Sequence, residues 1–303
     1  MIIVPGSINA DLLFPVRTLP APGETVLCPS YTMALGGKGS NQAAAAAKAG
    51  ADVRFFGHVG SDAYGPLVRQ LLADAGVEVA GLVDSPKPTA IAVIGVDEKG
   101  ENQIIVASGA NLDTHAGQVP GHLLVAGNTV LCQNEIRTEE TFKALARANE
   151  AGARTILNLA PSCPLPAGVL DRLDVLVVNE LEILEATGIQ GEPGVLAADL
   201  ARRHRLTVVV TLGAKGAIAA TADERFEVSA MKIRPVDTTG AGDAFTGVLA
   251  AYLDRGSSLE EALHRAAVGA ALACERLGAQ SAQPRMDEIE ARAQDLLMPR
   301  KLM

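Results

Sequence analysis

The chain predicts an α/β fold in which a parallel sheet is covered by helices on both faces. Three observations carry this. Short apolar runs recur as continuous rather than alternating stretches, which marks strands buried on both faces. Helical stretches separate these runs and carry capping residues or glycines at their ends. Proline and glycine are spread along the chain with no repeat or low-complexity linker, so residues 1–303 read as one domain. A chain of this length buries roughly three quarters of the surface it exposes when unfolded, and needs neither disulfides nor a structural metal.

In order, the expected strands are Ile2–Val4, Val53–Phe56, Thr129–Cys132, Thr155–Asn158, Val175–Val178 and Thr207–Thr211. An Ala-rich helix is expected over Asn41–Ala49, stopping at Gly50. Another starts at Thr138 with Glu139 and Glu140 in its first turn and ends near Gly152. A third runs from the glycines near residue 240 through Leu253, and Ser258 with Glu261 has capping-box spacing for a fourth running towards Arg276. One region breaks the alternation. Thr89–Val96, a turn at Asp97–Gly100 and Asn102–Ala107 predict an antiparallel hairpin. Together with extended segments at Leu12–Phe14 and Thr25–Met33, it predicts a small separate sheet able to cover a site.

Charge narrows the function. Lys plus Arg number 26 against 35 Asp plus Glu, a net charge of −9, so no global field attracts nucleic acid or anionic membranes. Any anionic ligand must be held by local devices. The uncharged stretch Thr114–Asn134 contains His, Gln, Asn and Pro and is not a membrane span. The opening MIIVPGS lacks a basic n-region and reads as a first strand, so a cytoplasmic location is expected. Cys28, Cys132, Cys163 and Cys274 form no Cys-x-x-Cys and read as small apolar residues.

The most informative segment is Val236-Asp-Thr-Thr-Gly-Ala-Gly-Asp-Ala-Phe-Thr-Gly247, expected between a strand and an apolar helix. Glycines at a helix start direct backbone N–H groups outward at the positive end of the dipole, which makes an anion site. At its edge, Asp243 can accept the proton of an incoming hydroxyl while the amides of Gly240, Ala241 and Gly242 hold a transferring phosphoryl group. Gly36-Gly-Lys-Gly-Ser-Asn-Gln42 stands at a second helix start, where Lys38 and Asn41 can donate to hydroxyls or phosphate oxygens. It is not a Walker A loop, because no glycine stands where that motif needs its first one and Gly39, rather than Ser or Thr, follows the lysine. No G-x-G-x-x-G opens a helix after the first strand, which disfavours a dinucleotide-binding dehydrogenase.

Three smaller features have two readings each. Asn9 and Asp11 follow the first strand at the carboxyl edge of the sheet, as polyol contacts or as turn formers. Asn179 and Glu182 follow another strand, as an N-cap with its N3 glutamate or as groups acting on hydrated Mg²⁺. Thr211-Leu-Gly-Ala-Lys-Gly216 lines a nucleotide or makes a tight turn.

In this order the segments closely resemble the ribokinase-like, or phosphofructokinase B-type, family of carbohydrate kinases, from Gly6 to about Gln280. GGKGSNQAAAAAKAG and DTTGAGDAFTG are the long signatures; GSINAD, PGET, GHVGSDAYG, GENQIIVASGAN, NLAPSCPLP, NELE, TLGAKG and GAQ accompany them. The resemblance implies a three-layer α/β/α domain with a mostly parallel central sheet. It also implies a small β-sheet lid from segments about 10–35 and 88–108, and a homodimer through that lid. It further implies ATP-dependent phosphorylation of a sugar hydroxymethyl group, with Asp243 as base and Gly240, Ala241 and Gly242 as anion hole.

Sugar contacts fall on Asn9, Asp11, Gly37, Lys38, Asn41 and Glu135, and ATP contacts on Asn179, Thr211, Gly213 and Gly216, with Glu182 in the element that manages Mg²⁺. A monovalent cation, usually K⁺, is implied at Asp237 and the Thr239 carbonyl, with backbone oxygens near Ala273, Arg276 and Gly278. Here the chain departs from the family pattern: Ala282 stands where a serine hydroxyl is common, with Ser281 adjacent. D-ribose is the expected acceptor, and deoxyribose, fructose or another ketose, a sugar acid or a nucleoside are the alternatives. A catalytically silent sugar-binding regulator would be expected to lack the base or the glycines, and this chain has both.

Overall fold

The computed structural model describes residues 1–302. In chain order the strands are β1 (Ile2–Pro5), β2 (Asn9–Pro15), β3 (Thr32–Gly36), β4 (Val53–Gly60), β5 (Glu78–Ser85), β6 (Ala90–Val96), β7 (Asn102–Ala107), β8 (Thr129–Cys132), β9 (Arg154–Asn158), β10 (Val175–Asn179), β11 (Thr207–Thr211), β12 (Ala217–Ala220), β13 (Arg225–Val228) and β14 (Arg300–Leu302). The helices are α1 (Lys38–Lys48), α2 (Tyr64–Asp74), α3 (Thr138–Glu150), α4 (Glu180–Thr187), α5 (Pro193–His204), α6 (Ala241–Asp254), α7 (Leu259–Cys274) and α8 (Met286–Arg292).

Ten strands form the large sheet in the order β14-β13-β12-β11-β10-β9-β8-β1-β4-β5. It is parallel from β11 through β5, with an antiparallel edge of β12, β13 and β14. Side chains alternate across it, as a pleated strand dictates. Ile2, Val4, Val175, Val177 and Val209 enter one core, packed with residues of α1, α2, α6 and α7. Ile3, Leu176, Val178, Val208 and Val210 enter the other, with residues of α3, α4 and α5. This is the three-layer sandwich expected from the continuous apolar runs.

Strand order reverses beside β1: the chain goes from β1 out to β4 and β5 on one side, and from β8 through β11 on the other. Parallel α/β sheets leave a crevice at such a point, beyond the carboxyl ends of the strands. Helices α1 and α6 are pressed together next to it. Ala43, Ala44, Ala45 and Ala46 are completely buried, and a Cβ on Gly247 would lie 2.5 Å from both the Ala45 Cβ and the Gln42 carbonyl oxygen. Small residues at this contact let the two helix starts share one site.

The four remaining strands form the small sheet, in the order β3-β2-β6-β7. β2 pairs antiparallel with β3 and parallel with β6, and β6 pairs antiparallel with β7 as the hairpin predicted. Two expectations need correction. Only Thr32–Gly36 of the second lid segment is a strand, while the mostly exposed residues 25–31, which include Pro29, lie outside any strand. No strand leads directly into Val236 either: β13 ends at Val228. Pro235 has no N–H to donate to a ladder, and the segment is tied instead by the Val236 and Asp237 N–H groups donating to the Cys274 carbonyl at 2.8 and 3.3 Å.

Helix starts also differ in detail. α1 begins at Lys38, three residues before the expected Asn41, because Gly37 (φ 92°) makes the turn into it from β3. At α7, Ser258 accepts from the Glu261 N–H, while the reciprocal half of the box is not made.

Candidate active site

The carboxyl ends of β1 and β8 and the starts of α1 and α6 converge on Asp243. Gly240, in a left-handed turn (φ 75°), caps α6, and Asp243 sits in the first turn, 8% exposed. A Cβ on Gly240 would lie 2.9 Å from the Ala279 Cα, so glycine is needed for space as well as for conformation. The Ala241 N–H donates to the Thr238 carbonyl at 3.2 Å. The expected trio of free amides therefore shifts: among the described residues the N–H groups of Gly240, Gly242 and Asp243 have no partner, while that of Ala241 does. Three unpaired donors at a helix N-terminus suit an anion.

Asp243 itself is held by two amides. Asn41 Nδ2 donates to its Oδ2 at 3.0 Å, and Gln42 Nε2 donates to its Oδ1 at 2.9 Å. Burial pushes the Asp243 carboxyl up from its ordinary range, against Lys38 and the Gln42 and Asn41 hydrogen bonds, which favour the charged form. A buried carboxylate made more basic in this way can take a proton from a hydroxyl.

The residues expected on the sugar side are brought together. Glu135, just beyond β8, accepts from the Lys38 N–H and from Ser7 Oγ, both at 2.8 Å, so it fastens the start of α1 to the end of β1. Gly39 N donates to Ser7 Oγ at 3.1 Å, and a Cβ on Gly39 would lie 2.5 Å from the Ser7 nitrogen. Burial alone would lower the Lys38 ammonium, but Asp243, Glu135 and Glu182 outweigh it and hold the group charged above its ordinary range. Asp11, on β2, is pushed up to about 7 by burial and by the neighbouring Glu135 and Asp243 carboxylates. Its Oδ1 and the Asn41 Oδ1 are buried without a hydrogen-bond partner. Asn9 Oδ1 accepts from Asn111 Nδ2 at 2.8 Å, and Asn111 Oδ1 accepts from the Ile8 N–H at 3.0 Å. That orientation leaves Asn9 presenting its own amide N–H groups.

The remaining expected residues line the next strand ends. Asn179 and Glu182 form a reciprocal capping box on α4: Asn179 Oδ1 accepts from the Leu181 and Glu182 N–H groups, and Glu182 Oε2 accepts from the Asn179 N–H. The capping reading is therefore realised, and the Lys38 charge reaches Glu182, whose carboxyl burial pushes up. Thr211 is paired with Asn179 across β11 and β10. After Thr211 comes the tight turn of a hairpin, with Gly213 at φ 56° and Gly216 at φ 105°; a Cβ on Gly216 would lie 2.0 Å from the Val228 carbonyl oxygen.

Asp237 accepts from the Thr239 and Gly278 N–H groups, each at 2.9 Å. Burial would raise its carboxyl, but these hydrogen bonds outweigh it and hold the group below its ordinary range, as a carboxylate. The Ala273 carbonyl accepts from the Arg276 N–H at 3.2 Å. Ala282 is fully buried and Ser281 donates its hydroxyl to the Leu277 carbonyl at 3.0 Å, so Ser281 does not restore the hydroxyl missing at Ala282.

Sequence reasoning missed Gln42, Asn111, Gln133 and Asn158. Gln133 and Asn158 were findable, because each stands at the carboxyl end of a predicted parallel strand, where ligands bind.

A buried carboxylate, unpaired helix-start amides and a switch-point crevice are the equipment of a phosphotransferase acting on a polyhydroxy acceptor. The chain matches the pfkB family carbohydrate kinases over residues 1–286. It is 33% identical over 290 residues to a ribokinase from Haemophilus influenzae, covering 93% of this chain and 95% of that protein. A deoxyribokinase from Salmonella typhi is 30% identical over 295 residues, covering 95% of this chain and 96% of the other. Among solved structures, Arabidopsis thaliana ribokinase complexed with ribose and ATP superposes with a TM-score of 0.87 at 32% identity, covering 97% of this chain and 98% of that one. The chain belongs to the pfkB family of carbohydrate kinases. It is an ATP-dependent sugar kinase.

Proposed function

We propose that the acceptor is D-ribose and the product D-ribose 5-phosphate. The observation that carries this is the pair of buried, unpartnered acceptors, Asp11 Oδ1 and Asn41 Oδ1, in the same crevice as Asn9 and Lys38. Unpaired buried acceptors are costly, and a polyol supplies hydroxyl donors to both. The similarity to ribokinases points the same way.

In this reading Asn9, Asp11, Gly37, Lys38, Asn41 and Glu135 orient the sugar, with its 5-hydroxyl against Asp243. Asp243 takes that proton as the sugar oxygen bonds to the γ-phosphorus and the bond to ADP breaks. The Gly240, Gly242 and Asp243 amides take the charge on the transferring group. Asn179, Thr211, Gly213 and Gly216 receive the nucleotide. Hard oxygen donors fit the expected cations. Glu182 would act on Mg²⁺, which when bound neutralises charge on the ATP phosphates. The ionised Asp237 with the Thr239, Arg276 and Gly278 carbonyls would hold K⁺; Ala273 is less suited, since its carbonyl already accepts from Arg276.

The small sheet acts as the lid of a single domain and excludes water on closure. It also forms the dimer contact, because β7 is an unpaired edge whose Ile104, Ile105 and Val106 are exposed.

Initial rates with Mg·ATP over ribose, deoxyribose, fructose, a sugar acid and a nucleoside, with and without K⁺, test the acceptor. Ribose should give the highest kcat/KM. A deoxyribose rate well above that of ribose would replace this reading with its nearest rival, which the Salmonella relative represents.

A further inference from the structure

We propose that Gln42 is a positioning residue for phosphoryl transfer, held as an obligatory donor to Asp243 by a chain of buried amides anchored on the backbone of β10. The inference rests on Asp243 being the base.

The chain of amides fixes its own direction. Asn158 Nδ2 donates to the Val177 carbonyl at 3.1 Å, and a backbone carbonyl can only accept. Asn158 must therefore turn its Oδ1 to Gln42, whose Nε2 donates to it at 2.8 Å. The second Nε2 hydrogen then falls on Asp243 Oδ1 at 2.9 Å. From the other side, Gln133 Nε2 donates to Gln42 Oε1 at 2.7 Å while Gln133 Oε1 has no partner, so the direction is set by Asn158 and Asp243, where a flipped Gln42 would put oxygen against oxygen. Gln42 and Gln133 are at most 1% exposed and Asn158 is 8% exposed, so water has little access to rescue a wrong orientation.

The consequence is electrostatic as well as geometric. Asp243 is buried, and the charged groups facing it are Lys38 from α1, Glu135 beyond β8 and Asp11 from β2, with Glu182 of α4 facing Lys38. The acids disfavour a further negative charge. Gln42 opposes them with a neutral donor that adds no charge and cannot itself titrate. It also ties Asp243 Oδ1 to the sheet, while Asn41 ties Oδ2, which fixes the carboxylate plane relative to an incoming hydroxyl.

The test is the pH dependence of kcat/KM for ribose in the full-length protein and in Gln42→Met. Loss of one hydrogen bond to a buried carboxylate should move the acidic limb upward by about one pH unit, so that activity near the foot of the limb falls about tenfold and recovers as pH rises. Ribose affinity should change much less than kcat. Asn158→Ala, which reaches Asp243 only through Gln42, should shift the limb the same way by a smaller amount, and it decides the matter if Gln42→Met does not fold. An unmoved limb in the folded variants, with activity unchanged or lowered equally at every pH, would overturn the inference. Failure of the Asp243 assignment reads differently, as near-normal turnover when Asp243 itself is replaced.

Discussion

Asp11 faces Glu135 and Asp243 with its Oδ1 unpaired, and its carboxyl is pushed up to about 7 from an ordinary 3.8. Between those two values the folded chain holds a proton that the unfolded chain releases, so this residue's effect on stability becomes more unfavourable as pH rises through the window. Asp11→Asn removes it. The melting temperature of Asp11→Asn relative to the parent should therefore climb between about pH 4 and pH 7, while ribose binding weakens. A difference in melting temperature that stays flat with pH would show that Asp11 does not titrate there. Residue types in the glycine signatures made Asp243, Lys38 and Asn41 legible in the sequence. The amide relay was not, because Gln42, Gln133 and Asn158 are far apart in sequence and acquire a role only when α1, β8 and β9 meet.

Among the elements, only Gly37 separates β3 from α1, so the small sheet runs directly into the first helix packed on the large sheet. A Cβ on Gly36 would lie 2.0 Å from the Asp11 carboxyl. Gly36→Ala should weaken ribose binding by about tenfold or more, equivalent to about 1.4 kcal/mol, while leaving the cooperative melt of the large sheet in place. Calorimetric titration checks the first part and thermal unfolding the second; unaltered affinity would mean that the carboxyl does not need this space. Strands buried on both faces were readable because their apolar runs are continuous. The strand expected before Val236 was not there, because Pro235 and the tie to Cys274 outweigh local β-propensity, and the antiparallel edge β12 to β14 gave only short, weak patterns.

For the whole molecule, the sequence foretold a sandwich plus a small sheet, and the switch point explains why the site lies where the two meet. With a net charge of −9, the proposed reaction leaves ATP to local devices, for which the unpaired amides of Gly240, Gly242 and Asp243 and the Lys38 ammonium are the candidates. Among the described residues no helix is long and apolar enough to cross a membrane. The exposed strand β7 bears on assembly: Ile105 is 73% exposed on the outer strand of the small sheet. If the proposed dimer forms through this strand, the parent should sediment as a dimer and Ile105→Asp as a monomer in sedimentation velocity; a monomeric parent, or a dimer that survives the substitution, would contradict that contact.

In the proposed mechanism Asp243 takes the acceptor's proton. Turnover of Mg·ATP and ribose by Asp243→Asn, measured beside ribose affinity in the same preparation, tests it most directly. Ribose binding should stay within a few-fold of the parent and turnover should fall by about a thousandfold or more. Near-normal turnover with ribose bound would remove Asp243 from the reaction.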